Sequence, residues 1–207
     1  LPLVQMIAPK DGLKSIGFST TGVVVNGITG INEAQISVSL HQHYCLSTSL
    51  RGRLPFAIGE EILRYASTLD EALRILKSTK VSSSWAFVVT DGKTQEGFIF
   101  ECQPKAFGVR RLHREGVLAH SNVFQSLECG REEYATTTRM NWDNYWRRKR
   151  LHKLVSQAGD GLDYATAVQV MSDHFDGYWS EEKPVNRTVS QVYNIQSLVL
   201  DPVNMVA

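Results

Sequence analysis

The stretch Gly27-Ile28-Thr29-Gly30-Ile31-Asn32-Glu33-Ala34 runs directly into Gln35-Ile36-Ser37-Val38-Ser39-Leu40. No other part of the chain limits the choice of fold as strongly. Ile36, Val38 and Leu40 alternate with Ser37 and Ser39, the period-two signature of a strand with one apolar face. Two glycines just upstream permit backbone angles that other residues resist, so the segment reads as a tight turn feeding a half-buried strand. Asn32 sits at the tip of that turn. It can offer a backbone N–H and an amide to a ligand, or it can simply belong to a hairpin, where Asn is common.

Other segments extend the pattern. Leu3 to Ala8 is a short apolar run stopped by Pro9-Lys10-Asp11-Gly12, and residues 16–18 and 23–25 read as further strands. Pro55 marks the first position of a helix, and Thr68-Leu69-Asp70-Glu71 is a capping box for a second. Strands return at 85–89 and 97–100, joined by Asp91-Gly92 as a hairpin turn, and continue at 107–109 and 117–119. Helical patterns over 141–157 and 162–175 follow, separated by Asp160-Gly161, and a loose strand pair is expected over 189–200. Antiparallel strands segregated from helices define an α+β protein in layers. The 207 residues suit a single domain with a sizeable core.

Composition narrows the function. A net charge of +1 argues against a dedicated nucleic-acid binder, and no apolar run approaches the roughly 20 residues that span a bilayer. Cys45, Cys102 and Cys129 form neither a CxxC pair nor a disulfide framework, which favours a reducing compartment and, with it, the cytoplasm. The chain opens on Leu1-Pro2 and closes inside an expected strand pair, so a processed product or fragment is expected.

Several residues can carry chemistry, each beside a plainer role. His41 and His43 share one face of a strand, as metal ligands do, yet no third ligand has a suitable spacing. Cys45 follows them and could pair with a His as a nucleophile, or be a small buried hydrophobe. The run Trp146-Arg147-Arg148-Lys149-Arg150 suits nucleic acid, or a solvated helix face balanced by Glu132, Glu133 and Asp143. Asn122, in His120-Ser121-Asn122, lies where binding groups gather after a strand; its amide can donate to an oxyanion or serve its own backbone. Arg187 can hold a carboxylate through paired hydrogen bonds or sit at the surface.

Taken in order, these segments resemble the acyl-coenzyme A:6-aminopenicillanic acid acyltransferase family, the C45 peptidases, which are N-terminal-nucleophile hydrolases related to the choloylglycine hydrolases. The resemblance rests on residues 3–12, Gly30-Ile31-Asn32-Glu33-Ala34, Gly52 to Pro55, Thr68 to Leu73, Phe98-Ile99-Phe100-Glu101, His120-Ser121-Asn122 and Arg187-Thr188. It implies a four-layer αββα sandwich, truncated here at both ends, as one incomplete domain over 1–207. It implies a self-processed enzyme whose N-terminal Cys attacks an amide or thioester carbonyl, with its own α-amine as base. Asn122 and Asn32 then contribute to the oxyanion hole, and Arg187 and Thr188 to substrate binding. The partners implied are a small acyl substrate and a complementary segment or subunit carrying the nucleophile; no cofactor, nucleic acid or membrane is implied.

Two departures matter. Gln35 stands where the family usually has Gly, at a residue that shapes a turn. Leu1 cannot attack a carbonyl, so the nucleophile is expected upstream. The alternative is a non-catalytic binding or assembly module on the same fold.

Overall fold

The computed structural model describes every residue except 24, 113–115, 135–137, 160–161, 193 and 195. The chain forms two compact units. One comprises Leu1–Arg114, Phe124–Tyr134 and Leu200–Ala207; the other comprises Glu115–Val123 and Ala135–Val199. As expected, both build an α+β protein.

The first unit is a seven-stranded antiparallel meander in chain order: β1 (Pro2–Ile7), β2 (Ser15–Thr20), β3 (Thr29–Asn32), β4 (Ile36–Gln42), β5 (Trp85–Asp91), β6 (Glu96–Gln103) and β7 (Ala106–Leu112). Helices α1 (Pro55–Tyr65) and α2 (Leu69–Ser78) lie between β4 and β5 in the chain. Register puts Val38 opposite Val89, itself opposite Phe98, while Leu40 meets Phe87 and then Phe100. These side chains share one sheet face and bury against Ile58, Ile62 and Leu63 of α1 and Leu69, Leu73 and Leu76 of α2. The strand pattern of residues 36–40 therefore exists to meet this helical layer.

Local signals account for the helices. Pro55 occupies the first turn of α1, where a missing N–H costs nothing. Thr68 caps α2 by accepting from the Glu71 N–H at 3.2 Å. The Glu71 carboxylate reaches back one residue further than a capping box requires, to the Ser67 N–H (2.8 Å) and hydroxyl (2.7 Å). Those bonds hold its carboxyl below the usual range.

The glycine-rich stretch folds differently from the expectation. Gly30 lies inside β3, and the turn proper is Glu33-Ala34-Gln35, a three-residue hairpin loop with Gln35 left-handed (φ 64°). The expected strand at 23–25 does not form at residues 23 and 25, and residue 24 lies outside the described residues. Instead Asn26 Nδ2 donates to Ser15 Oγ (2.8 Å) and Gly27 packs on α1. A Cβ on Gly59 would overlap the Gly27 carbonyl, and one on Gly27 would overlap the Phe56 carbonyl. The glycines serve close backbone approach, not the turn. Gly59→Ala is therefore expected to destabilise the protein by about 3 kcal/mol, read as a fall in the denaturant midpoint; an unchanged midpoint would refute the packing.

The hairpin at Asp91-Gly92 is likewise longer than two residues. Its left-handed residue is Gln95 (φ 58°), while Gly92 is required because a Cβ there would strike the Pro202 carbonyl. The chain's last residues form a turn in which the Asp201 carboxylate accepts from the Val203 and Asn204 N–H groups, at 3.0 and 3.1 Å. The strand pair expected over 189–200 does not form among the described residues of that stretch, of which 193 and 195 are not part.

The second unit holds α4 (Thr138–Ala158), α5 (Tyr164–Met171) and a hairpin of two-residue strands, β8 (Phe175–Asp176) with β9 (Glu181–Glu182). The single turn α3 (Leu127–Gly130) belongs to the first unit, against β6 and β7. Asp163 caps α5 through the Thr166 N–H (2.8 Å). The helix expected to reach residue 175 stops at Met171, where the chain turns to pair β8 with β9. Asp173, just past that helix, binds Arg150 of α4 at 3.0 and 2.6 Å. Residues 117–119, expected as a strand, join no ladder.

Candidate functional site

Helix α4 gathers the charged side chains of the second unit. Asp143 and Arg147 lie one turn apart (Nε to Oδ2, 3.6 Å), and Arg150 follows on the same side. Arg147 and Arg150 are mostly buried, with side-chain exposures of 27% and 17%. The solvated face expected over 146–150 therefore holds for the exposed Lys149 but not for Arg147 and Arg150. The sequence signal was the acid at i−4 from Arg147, which pairs with it along the helix.

Asn122 is laced to α4. Arg147 Nη2 donates to Asn122 Oδ1 at 2.7 Å and also to Asn144 Oδ1. Asn144 Nδ2 donates to the Asn122 carbonyl (3.4 Å), and Ser121 Oγ donates to the Asn144 carbonyl (2.9 Å). A guanidinium carries donors only, so the atom of Asn122 that faces it must be the oxygen. The amide's orientation is thereby fixed, with the NH2 as its donor end.

Arg187 meets the same helix. Its backbone N–H donates to Asp143 Oδ1, and its Nε donates to Asp176 Oδ2 at 2.8 Å. Asp176 is fully buried and also accepts from the Tyr178 and Trp179 N–H groups, at 2.9 and 3.3 Å. The guanidinium lies over the Tyr178 ring, 5.5 Å from its centre. Asn186 and Arg187 are both left-handed (φ 65° and 48°). That conformation costs roughly 1–2 kcal/mol per non-glycine residue and concentrates at functional sites. Arg139 steadies it by donating to Asn186 Oδ1 at 2.9 Å. Thr188 is fully buried and donates its hydroxyl to the Ser190 carbonyl at 2.6 Å, so its side chain serves the turn.

The structure thus brings Asn122 and Arg187 together through Asp143 and Arg147, two residues whose pattern in the sequence suits a solvated face. Asn32 belongs to the first unit. It is fully buried, and its amide is saturated: Nδ2 donates to the Leu63 (3.0 Å) and Ala66 (2.8 Å) carbonyls, and Oδ1 accepts from the Ala34 (3.1 Å) and Ile36 (3.0 Å) N–H groups. Two donors and two acceptor positions are all an amide offers. The side chain closes the last turn of α1 and locks the β3–β4 loop, so it has no donor left for an oxyanion.

Other candidates resolve similarly. Cys129 Sγ donates to the Glu101 carbonyl (3.4 Å), and burial pushes its thiol up to about 11; burial pushes Cys102 up as well. Cys45 Sγ donates to the Ser47 carbonyl at 3.2 Å. Among the described residues no three of His, Cys, Asp and Glu gather as metal ligands would, and no helix is long and apolar enough to cross a membrane. Glu101, at the end of the Phe98-Ile99-Phe100-Glu101 segment, has a structural role that its sequence context did not reveal. It is buried and accepts from the Gln125 (2.9 Å) and Ser126 (2.7 Å) N–H groups, anchoring the chain just beyond Asn122.

His43 stacks on Phe124 (4.3 Å between ring centres), and burial, with His41 nearby, lowers its pKa to about 3. The unfolded chain, with a pKa near 6.5, binds the proton that the folded chain refuses. Stability is therefore complete above about pH 6.5 and falls as the pH drops towards 3. About 2 kcal/mol is expected to be lost between pH 7 and pH 5. Denaturant midpoints at both pH values test this; His43→Gln should flatten the difference, and an equal slope in that variant would refute the assignment.

By fold the chain is an α+β protein built on a helix-covered antiparallel sheet. Residues 2–207 match the acyl-coenzyme A:6-aminopenicillanic acid acyl-transferase family, and the chain belongs to that family. It is 23% identical, over 220 residues, to a protein of Archaeoglobus fulgidus described as uncharacterized. That alignment covers 91% of this chain and 36% of the relative, so the chain spans about a third of the relative's length. Among solved structures, a variant of conjugated bile acid hydrolase from Clostridium perfringens is similar at a TM-score of 0.40 and 12% identity. The similarity covers 53% of this chain and 42% of that one.

Proposed function

We propose that these 207 residues are part of a Cys-dependent N-terminal-nucleophile amidohydrolase or acyltransferase, its two units forming a single domain. The observation that carries this reading is Asn122. Its amide oxygen accepts from Arg147 of α4, which makes the NH2 its donor end, in a chain belonging to an acyl-transferase family. The reacting thiol comes from a Cys outside this stretch. Cys102 and Cys129 are buried as protonated thiols, unsuited to attack, since the thiolate is the nucleophile.

In this scheme the thiol adds to an amide or thioester carbonyl. The carbonyl oxygen becomes an oxyanion that accepts from the Asn122 amide, a contact worth roughly 3 kcal/mol in the transition state. Collapse of the tetrahedral adduct expels the amine or thiol and leaves an acyl-enzyme, which water or a second amine resolves. Arg187, held on Asp176 and against Tyr178, shapes the substrate side of the site. Asn32 contributes by fixing the β3–β4 loop rather than as a donor, and Thr188 by fixing the turn after Arg187.

The test uses the complete protein with 4-nitrophenyl acetate. A burst of nitrophenol stoichiometric with enzyme, and an acetyl adduct on an N-terminal Cys by intact mass spectrometry, are expected. Absence of both leaves a non-catalytic module on the same fold.

A further inference from the structure

We propose that Arg147 is a positioning residue that holds the Asn122 amide with its NH2 towards the oxyanion. This rests on the proposed role of Asn122 as an oxyanion donor and adds a residue to it. An asparagine side chain on a loop can flip end for end at little steric cost, because its oxygen and nitrogen are nearly equal in size. A flipped Asn122 would present an oxygen to an oxyanion, which is repulsive. Only an obligate donor or acceptor beside the amide selects one orientation.

Arg147 is such a group. It cannot accept a hydrogen bond and does not deprotonate in proteins. Its Nη2 is 2.7 Å from Asn122 Oδ1 and also contacts Asn144 Oδ1, while Nε faces Asp143 Oδ2 at 3.6 Å. The guanidinium is thereby held on its far side by a carboxylate that also receives the Arg187 N–H. Asn144 is 4% exposed and donates to the Asn122 backbone, so the loop cannot slide when its side chain is pinned. A lysine at 147 would keep the charge but not the planar fork that spans two amide oxygens and a carboxylate.

The experiment is a double-mutant cycle in the complete protein, reading the burst rate with 4-nitrophenyl acetate, with melting curves as a folding control. Arg147→Ala is expected to slow acylation about 10-fold, the loss typical of a charge-assisted hydrogen bond. KM should stay within about twofold, because orientation of a transition-state donor acts on kcat. Arg147→Lys should recover part of the rate. In the Asn122→Ala background Arg147→Ala should change nothing further. Equal losses in both backgrounds, or a loss under threefold in the parent, would overturn the inference while leaving Asn122 in place. If Asn122→Ala itself is silent, the inference and the reading beneath it both fall. Should Arg147→Ala not fold, Arg147→Lys carries the same cycle; if that also unfolds, Arg147 is structural and the inference is wrong.

Discussion

Asn122→Ala in the complete protein is expected to slow acyl transfer by about two to three orders of magnitude while the folded state persists. The size follows from the kind of hydrogen bond that the substitution removes. A preoriented side-chain donor strengthens its bond as charge moves onto the carbonyl oxygen, so its removal falls on the transition state rather than on substrate binding. Folding should tolerate the change. The parts of this loop that hold the second unit together are the Ser121 hydroxyl and the Asn122 carbonyl, and both survive in the variant. The Arg147 guanidinium loses one acceptor but keeps Asn144 and Asp143. A steady-state and burst comparison with melting curves decides the matter. A rate within threefold of the parent, at an unchanged midpoint, removes Asn122 from the reaction.

The fold was legible wherever a local pattern is enforced by a layer. Ile36, Val38 and Leu40 announce one buried face, and the helices that bury it begin at the two signals the sequence offers, Pro55 and Thr68. What stayed hidden were decisions made across the chain. Gly27 and Gly30 read as turn formers, yet they are small because other backbone comes close: α1 lies against Gly27, and the Ile16 carbonyl of β2 lies against Gly30. Gln35, not a glycine, takes the left-handed position. Residues 117–119 and 189–200 have strand composition but no partner strand among the described residues, and composition cannot supply one. The site shows the same division. Asn122 and Arg187 stand out by type and place, whereas Arg147 and Asp143 sit in a charged helical run whose inward side becomes visible only once the loop that packs on it is known.

Asn32→Ala should damage stability more than Gly59→Ala does, at about 4 kcal/mol, lowering the midpoint of melting by roughly 10 °C. The four groups its amide satisfies are all backbone, and two are carbonyls at the end of α1 that no intrahelical donor reaches. Alanine leaves those carbonyls and the Ala34 and Ile36 N–H groups buried without the amide that paired them, in a position closed to water. Asn32→Asp tests the same account more sharply. The carboxylate retains acceptors for the two N–H groups but brings negative charge to the negative end of the α1 dipole, where it can donate nothing. It should therefore be at least as destabilising as alanine at neutral pH. It should recover part of that loss as the pH falls and the carboxyl regains a donor. If Asn32 instead served chiefly as a transition-state donor, alanine would melt near the parent temperature and lose its rate alone. The two roles of a buried asparagine are thus separated by measuring stability and acylation on the same variants.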